Sequence, residues 1–462
     1  ATTRVTARRA GPPRPLPAGF LGLNGNNTAR RLAWDRADLG AALEALGPGS
    51  LRYPGGTIGN YWDWRRGWFQ RHGPWPGQTV DGTVIARFDN SLTPYAVALR
   101  RSGAEAVFML NLLTAEGRVS RPAASARLLA DQIAFLQRAA EAGIAVNRIE
   151  LGNEFYLGRP NAPDYPRRFA TAREYAREAS RWAAELRTAF PDAGIAAVAT
   201  HAGGTSGRRT RWNTGLLAEL TGVDAVTMHP YIPVTGRRAQ RGFQALLALP
   251  QVCAERLAQG SLSATRGLDV WVTEFNLFDR TPDRRVAGTW AHGLMVAAYA
   301  LLLAQQPAIT LLQLHNVVGD ATMGVLFDST RGFGPRGPRT VRLARSAVGT
   351  TYGSILEAAR GASSGQPLGF SGGPILAPGN PGLVGTHFSG AGRQQAVVVN
   401  LSPDAVSLDV GGVLAGPVDW SHTRAAGLAT RVTGPADLNV AHGTSDGVVP
   451  LPRHSVVSVR GA

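Results

Sequence analysis

The sequence predicts an α/β protein: a (β/α)8 TIM barrel followed by a C-terminal antiparallel β-sandwich. Short apolar runs ending in polar residues alternate eight times with helical stretches between residues 18 and 360. An open doubly wound sheet rarely reaches eight regular units, so closure into a barrel is the expected arrangement. After Gly361 the texture changes to Gly, Ser and Pro, then to runs such as AVVVNLS (396–402), VSLDV (406–410) and SVVSVR (455–460). That pattern, with turn residues between the runs, predicts a sandwich over 361–462.

In chain order, residues 1–17 are rich in Arg and Pro and read as an extended arm, of which residues 1–10 can add a strand to the sandwich. GFLGLN (19–24) is the first barrel strand, ending in Asn24, Asn26 and Asn27, with a helix at 36–46. SLRYPGG (50–56) is the second, broken by Pro-Gly-Gly, and a Trp- and Gly-rich loop leads to a helix at 92–102. AVFMLN (106–111) precedes an amphipathic stretch at 124–142, and RIELGNE (148–154) precedes a helix at 171–189. GIAAVAT (194–200), AVTMHPY (225–231), DVWVTEFN (269–276) and ITLLQLHN (309–316) complete the strands. Their helices are expected at 213–220, 241–258, 288–305 and 342–359. Continuous apolar runs of this kind suit strands buried on both faces.

Composition narrows the function classes. At 462 residues and 44% hydrophobic, the chain can bury a large core and is too long for one ordinary domain. Cys253 is the only cysteine, so neither an internal disulfide nor a thiolate metal cluster can form. No apolar run reaches membrane-spanning length, and no membrane partner is expected. The chain begins Ala1-Thr2-Thr3, which fits a removed secretory signal or a trimmed start; a secreted or periplasmic location is the expectation. All 48 basic residues are Arg and the net charge is +16, which attracts polyanions. No zinc-finger spacing, basic helix or aromatic sheet motif points to nucleic acid. An acidic polysaccharide, or a basic surface without a partner, remains open.

Two carboxylates carry the chemistry. Glu154 follows Asn153 at the end of the fourth strand, and Glu274 lies at the end of the seventh, 120 residues on. Both then sit on the catalytic rim of the barrel and face each other across its mouth. Two such Glu can serve as general acid and nucleophile in glycoside hydrolysis. Other chemistries are poorly served: His201, His229, His292 and His315 lack the HExxH metal spacing, and no Gly-x-Ser-x-Gly elbow is present. Gly203-Gly204-Thr205 is followed by no phosphate-binding lysine. No metal and no cofactor are expected.

Here the sequence resembles the retaining glycoside hydrolases of clan A. LRYPGG (51–56) with Tyr61-Trp62-Asp63-Trp64 looks like the Arg-aromatic-Pro-Gly-Gly element of family 51 arabinofuranosidases. LGNE (151–154) is shared by family 51 and family 79, the heparanases and β-glucuronidases. TEFN (273–276) and HPY (229–231) fit the clan generally; LHN (314–316) is similar to family 79, and LPRHSVV (451–457) to the end of the sandwich in both. The resemblance implies Glu154 as acid/base and Glu274 as nucleophile. It implies Arg52 and the Tyr231 hydroxyl as hydrogen-bond donors to Glu274, and Asn153 as the partner of the sugar 2-hydroxyl. Glu154 should start protonated, its pKa raised by the Glu274 anion. The two carboxyl groups should stand about 5 to 5.5 Å apart, the retaining separation.

The remaining candidates each have two readings. Asn26 and Asn111 end strands one and three and either bind sugar hydroxyls or cap helices. His229, His315 and Asn316 either contact substrate or serve structure. Trp62, Trp64, Trp68 and Trp75 either stack on sugar rings or form a hydrophobic cluster under the long loop. For substrate, the charge together with LGNE and LHN favours an acidic glycan cleaved at a β-linked uronic acid. The alternative, from RYPGG, is a neutral α-L-arabinofuranoside; a non-catalytic carbohydrate-binding barrel is the third.

Overall fold

The computed structural model describes residues 2–26, 32–69, 79–80, 83–84, 89–113, 122–158, 160, 162–201, 207–319, 323–328 and 343–461. Asn27, Trp75 and Gly203-Gly204-Thr205 lie outside the described residues. Eight strands form the barrel: β1 (Leu21–Asn24), β2 (Ser50–Tyr53), β3 (Glu105–Met109), β4 (Arg148–Glu150), β5 (Gly194–Val198), β6 (Ala225–Met228), β7 (Asp269–Arg280) and β8 (Ile309–His315). Each pairs in parallel with the next, and β8 pairs with β1, which closes the cylinder.

The interior is packed by complementary sizes. Trp271 of β7 fills the barrel against Ala196, Ala225, Val107 and Leu311. Towards the carboxyl ends the filling becomes polar: Gln313 Nε2 donates to Ser50 Oγ at 3.0 Å, and Arg52 and Glu150 are fully buried. Eight helices follow the eight strands: α1 (Ala37–Leu46), α2 (Leu92–Ser102), α3 (Pro122–Glu141), α4 (Ala172–Ala189), α5 (Gly207–Glu219), α6 (Leu249–Leu257), α7 (Trp290–Ala304) and α8 (Ala347–Ala359). Thr171, Thr289 and Ser346 open α4, α7 and α8 with side-chain caps. The helical stretch expected at 241–258 is divided, with short turns at Gly236–Ala239 and Phe243–Leu246, because Pro250 restarts the helix in its first turn. Strand β7 runs four residues past its expected end at 276, because Tyr231–Thr235 pairs with its outer half from Asn276 to Arg280.

The carboxy-terminal sheet domain contains β9 (Ser364–Ser371), β10 (Leu383–Gly390), β11 (Arg393–Asn400), β12 (Val406–Asp409), β13 (Val418–Ala425), β14 (Leu438–Ser445), β15 (Val448–Leu451) and β16 (Ser455–Gly461). Its strands follow one hydrogen-bonded path that folds over into the expected sandwich, nearly closed as a barrel, in the order β14-β13-β16-β11-β10-β9, then Thr3–Arg9, then β12-β15. The amino-terminal strand pairs antiparallel with β9 and parallel with β12, the one parallel junction in this path. Its Val5 and Ala7 enter the domain's own core with Val398, Leu408, Val449 and Val457.

The opposite face of the sheet, with Val384, Phe388, Val397, Val399 and Val456, joins the barrel core. This explains α7, which is apolar on every side and buried at every residue from Trp290 to Ala304. Trp290 Nε1 donates to the His454 carbonyl at 2.7 Å, and Gln244 Nε2 to the Leu401 carbonyl at 3.0 Å, fixing the junction. Among the described residues no helix is long and apolar enough to cross a membrane.

Candidate active site

Arg52, at the end of β2, is 0% exposed and organises the barrel mouth. Its Nε and Nη2 donate in parallel to the two oxygens of Glu150, each at 2.8 Å; Nη2 also reaches Asn153 Oδ1 at 2.9 Å. Nη1 donates to Glu274 Oε1 at 2.8 Å. A buried guanidinium needs its charge met, and here two buried carboxylates meet it. Glu150, inside the IELGNE motif, was not foreseen; its inward position on β4 was the available signal.

Glu274 also accepts from the Tyr231 hydroxyl, 2.7 Å from Oε2, while Nδ1 of His315 lies 3.4 Å and Nδ1 of His229 3.7 Å from that oxygen. Burial alone would push this carboxyl up, but His229, Arg52 and the Tyr231 hydrogen bond outweigh it and hold it at about 2. Burial and the Glu274 charge raise Tyr231 well above its ordinary value, so its hydroxyl stays a donor. A register shift in the β7–β8 pairing between Val272 and Phe275 explains how neighbours Thr273 and Glu274 both reach His229, since a bulge breaks the alternation of faces.

Glu154 lies just beyond β4 with φ 50°, a left-handed conformation that costs a non-glycine residue about 1–3 kcal/mol. Arg208, in the first turn of α5, braces the following loop: its guanidinium donates to the carbonyls of Phe155, Leu157, Phe169 and Ala170. Glu154 Oε1 is 2.9 Å from His229 Nδ1 and accepts from the Tyr156 hydroxyl at 2.8 Å. Its expected upward pKa shift is not found. Burial, the largest influence, and the Glu274 charge do push it up, but the hydrogen bonds and charge from His229 and Tyr156 prevail and lower it. One oxygen from each of Glu154 and Glu274 lies within 4.8 Å of the other, with His229 Nδ1 inside the same limit. These three could in principle ligate a cation. However, Arg52 and Tyr231 already donate to the two Glu274 oxygens, and Arg52 would repel a second positive charge there.

The other candidates divide. Asn153 is clamped through its backbone by Asn60, which donates to its carbonyl and accepts from its amide, and through Oδ1 by Arg52; its buried Nδ2 has no partner among the described residues. Asn26 Oδ1 is likewise buried without a partner there, as are both polar side-chain atoms of Asn316. His315 Nδ1 lies 2.7 Å from Asn24 Nδ2, and Asn24 Oδ1 is engaged by the Asn26 amide, so His315 Nδ1 accepts and Nε2 carries the proton. Burial lowers the His315 pKa, in keeping with a neutral ring. Asn111 braces its own loop: Oδ1 accepts from Leu113 N and Nδ2 donates to the Trp62 carbonyl.

Trp62, Trp64 and Trp68 belong to an aromatic cluster. Trp62 is 3% exposed, surrounded by Tyr53, Trp68 and Phe69, with Nε1 bonded to the Tyr53 hydroxyl. Trp64 packs against Phe135 of α3 and carries the Arg65 guanidinium 4.1 Å over its ring. Burying these rings against Tyr53, Phe69 and Phe135 removes more apolar area from water than a stacking platform would. His292 is structural, taking the Gly288 amide on Nδ1 and donating from Nε2 to Asn276 Oδ1.

No protein-family profile and no curated protein sequence matches the chain. Solved structures do. The GH51 α-L-arabinofuranosidase from Thermotoga petrophila RKU-1 superposes with a TM-score of 0.73 at 16% identity, covering 99% of this chain and 100% of that one. The Thermotoga maritima α-L-arabinofuranosidase arabinose complex gives 0.70 at 15%, covering 100% and 99%. The 4-O-α-L-rhamnosyl-β-D-glucuronidase from Fusarium oxysporum 12S gives 0.61 at 14%, covering 99% of each chain. The fold is that of the clan A glycoside hydrolases. Within this clan A fold, Glu154 lies just beyond the end of β4 and Glu274 within β7, before the outer half of that strand that pairs with Tyr231–Thr235.

Gly56 permits the close approach of the nucleophile candidate. It opens a short helical turn after β2, and a Cβ there would stand 2.5 Å from Asn26 Oδ1 and 2.9 Å from Glu274 Oε1. Gly56→Ala is expected to fold, because its φ is ordinary, yet to lose about 100-fold in kcat/KM on a cleaved glycoside, the scale of a 1 Å misplacement. Melting temperature and steady-state kinetics measured together check this; an active Ala variant would remove Gly56 from the site.

Proposed function

We propose that the protein is a retaining glycoside hydrolase acting on a neutral, arabinofuranosyl-like sugar. The observation that carries the reaction class is the carboxylate pair, with oxygens within 4.8 Å and one member clamped by Arg52 and Tyr231. Retaining enzymes set their carboxyl groups about 5–5.5 Å apart, whereas inverting enzymes need about 6.5–9.5 Å to admit a water. Glu274, held ionised, attacks the anomeric carbon while Glu154 protonates the departing oxygen. Glu154 then deprotonates the water that cleaves the glycosyl ester and restores Glu274.

The lowered Glu154 pKa fits this cycle through His229. The 2.9 Å contact between Oε1 and Nδ1 lets the pair hold one proton between them, available to the leaving oxygen. Once Glu274 is esterified its charge is gone, the upward push on Glu154 disappears, and the base form needed next is favoured.

The neutral glycone is favoured over a uronic acid by the lining around Glu274. Asn24, Asn26, Asn153 and His315 are neutral there, and the Arg52 charge is spent on Glu150 and Glu274. The arabinofuranosidase likenesses, at TM-scores of 0.70 to 0.73, support the same reading. The glucuronidase likeness and the net charge of +16 favour the second reading, a uronic-acid glycone. Aryl α-L-arabinofuranoside and aryl β-glucuronide substrates separate the two, and NMR of the first-released sugar reads the stereochemistry. Turnover of the arabinofuranoside with retention is expected; initial release of the inverted anomer would overturn the mechanism, and exclusive glucuronide turnover the glycone.

A further inference from the structure

Strand β7 outruns the barrel at its catalytic end. From Asn276 to Arg280 it pairs in parallel with Tyr231–Thr235, a two-stranded extension whose base is the Tyr231 hydroxyl on Glu274. At about 3.3 Å per residue, Arg280 stands about 20 Å beyond Glu274 along the strand. A chain of ring contacts connects the two: Phe278 meets Tyr231 edge-on at 6.1 Å, and the Arg280 guanidinium lies 5.1 Å over the Phe278 ring. Phe278 is 42% exposed and is the one exposed aromatic side chain among the described residues.

The far end of the extension is firmly built and carries like charges. Asp279 accepts the amides of Thr281, Val286 and Ala287, which folds the turn 281–287 back onto the strand. Beside it the chain turns through Gly236–Ala239, and a Cβ on Gly236 would lie 3.9 Å from Pro282 Cδ, so the two turns abut. Arg237, Arg241, Arg280 and Arg285 are exposed on these segments, and none of the four is in an ion pair among the described residues. Arg241 follows Arg237 by one helical turn, a spacing at which like charges repel, so local stability gives no reason for the pair. Asp279 spends its charge on backbone amides, which leaves Asp283 as the exposed acid of both turns.

We propose that this extension is a docking rim for an anionic polysaccharide, whose oxyanion groups pair with Arg237, Arg241, Arg280 and Arg285 while another residue of the same chain occupies the Glu154–Glu274 mouth. The rim reads charge outside the cleft, so it accords with a neutral sugar at Glu274, and it rests on the glycoside hydrolase reading only for the polymer being cleaved. Guanidinium groups suit the task because their planar donors meet an oxyanion through two parallel hydrogen bonds. The rim also gives part of the net charge of +16 a place beside the substrate's path. Single-stranded nucleic acid is disfavoured, because such grooves stack successive bases on several aromatic rings and Phe278 stands alone among the described residues.

The test measures binding to polygalacturonate, dextran sulfate, neutral dextran and single-stranded DNA at low and high salt, together with turnover of an aryl α-L-arabinofuranoside. Two quadruple variants lower the net charge equally, from +16 by four to +12. One replaces the rim (Arg237→Gln, Arg241→Gln, Arg280→Gln, Arg285→Gln); the other replaces four exposed arginines away from it (Arg100→Gln, Arg127→Gln, Arg256→Gln, Arg393→Gln). At low salt the wild type is expected to bind polygalacturonate or dextran sulfate about tenfold or more tighter than dextran, and to lose that margin at high salt. The rim variant should lose about tenfold in this binding and the control variant less than about twofold, with the small aryl substrate turned over equally by all three. Wild-type binding that does not distinguish the anionic polymers from dextran overturns the proposal. Equal losses in the two variants overturn it too, by assigning the binding to the general surface charge, as does a rim that holds DNA more tightly than either polysaccharide. Rim-dependent polysaccharide binding by a protein that turns over no glycoside would instead overturn the glycoside hydrolase reading and leave the rim standing.

Discussion

Glu274→Ala is expected to lower kcat/KM on any cleaved glycoside by about 10^4-fold or more, the scale seen when a nucleophile is deleted. The loss should be in kcat, because Glu274 acts on the anomeric carbon rather than on distant parts of the sugar. The space vacated lies beside Arg52 and Tyr231, whose donors remain directed at it. A small anion such as azide should therefore bind there and restore turnover, giving a glycosyl azide of inverted configuration. Failure of rescue together with residual wild-type-like activity would remove Glu274 from the nucleophile role. There is a matching pH signature. Glu274 is held at about 2 against an ordinary 4.5, so the folded state gains stability from its ionisation above 4.5 and loses that gain as pH falls towards 2. The wild-type and Glu274→Ala stability curves should converge over that interval, read by thermal melts.

Arg52→Met should destabilise the protein by about 3–5 kcal/mol near neutral pH, the cost of leaving buried charges without their partner. Glu150 is 0% exposed and Glu274 5%, so neither carboxylate can turn to water for compensation. Activity should vanish too, since Arg52 fixes Glu274 and Asn153 at once. Stability and activity can be separated. Adding Glu150→Gln to Arg52→Met removes one orphaned charge and should recover part of the stability without restoring turnover. The deficit should also shrink at low pH, where uncompensated buried carboxylates take up protons. A single variant within 1 kcal/mol of wild type would show the pair to be dispensable to the fold, against the expected scale of about 3–5.

The barrel was legible because strand and helix periodicities alternate along the chain, a local signal that needs no tertiary information. The same logic drew attention to Glu154 and Glu274 as polar residues closing the fourth and seventh apolar runs, although β7 continues past Glu274 to Arg280. What local pattern could not show is who touches whom. Asn60, Tyr156 and Tyr165 lie in loops or short turns, and their roles emerge only where the β2 and β4 segments meet, as when Asn60 joins the Asn153 carbonyl to the Tyr165 hydroxyl. Glu154 was expected to titrate high because the sequence revealed its acidic neighbour but not that His229 and Tyr156 share one of its oxygens. The Trp62 and Trp64 rings carry the same residue type whether they face a sugar or a core; only the positions of Tyr53, Phe69 and Phe135 decide between these. The carboxy-terminal strands were recognisable by alternation, but their joining into one path depends on a segment hundreds of residues away.

That segment, Thr3–Arg9, carries a consequence for biosynthesis. It leaves the ribosome hundreds of residues ahead of its partners, the first of which begins only at Ser364 and the second at Val406. Until those arrive, Val5 and Ala7 have no core to enter and the strand's backbone donors and acceptors remain uncapped. Pairings of such sequence separation form slowly, and they leave an unpaired edge open to other chains meanwhile. Arg4, Arg8 and Arg9, interleaved with the apolar positions, keep that waiting edge charged and discourage the wrong neighbour.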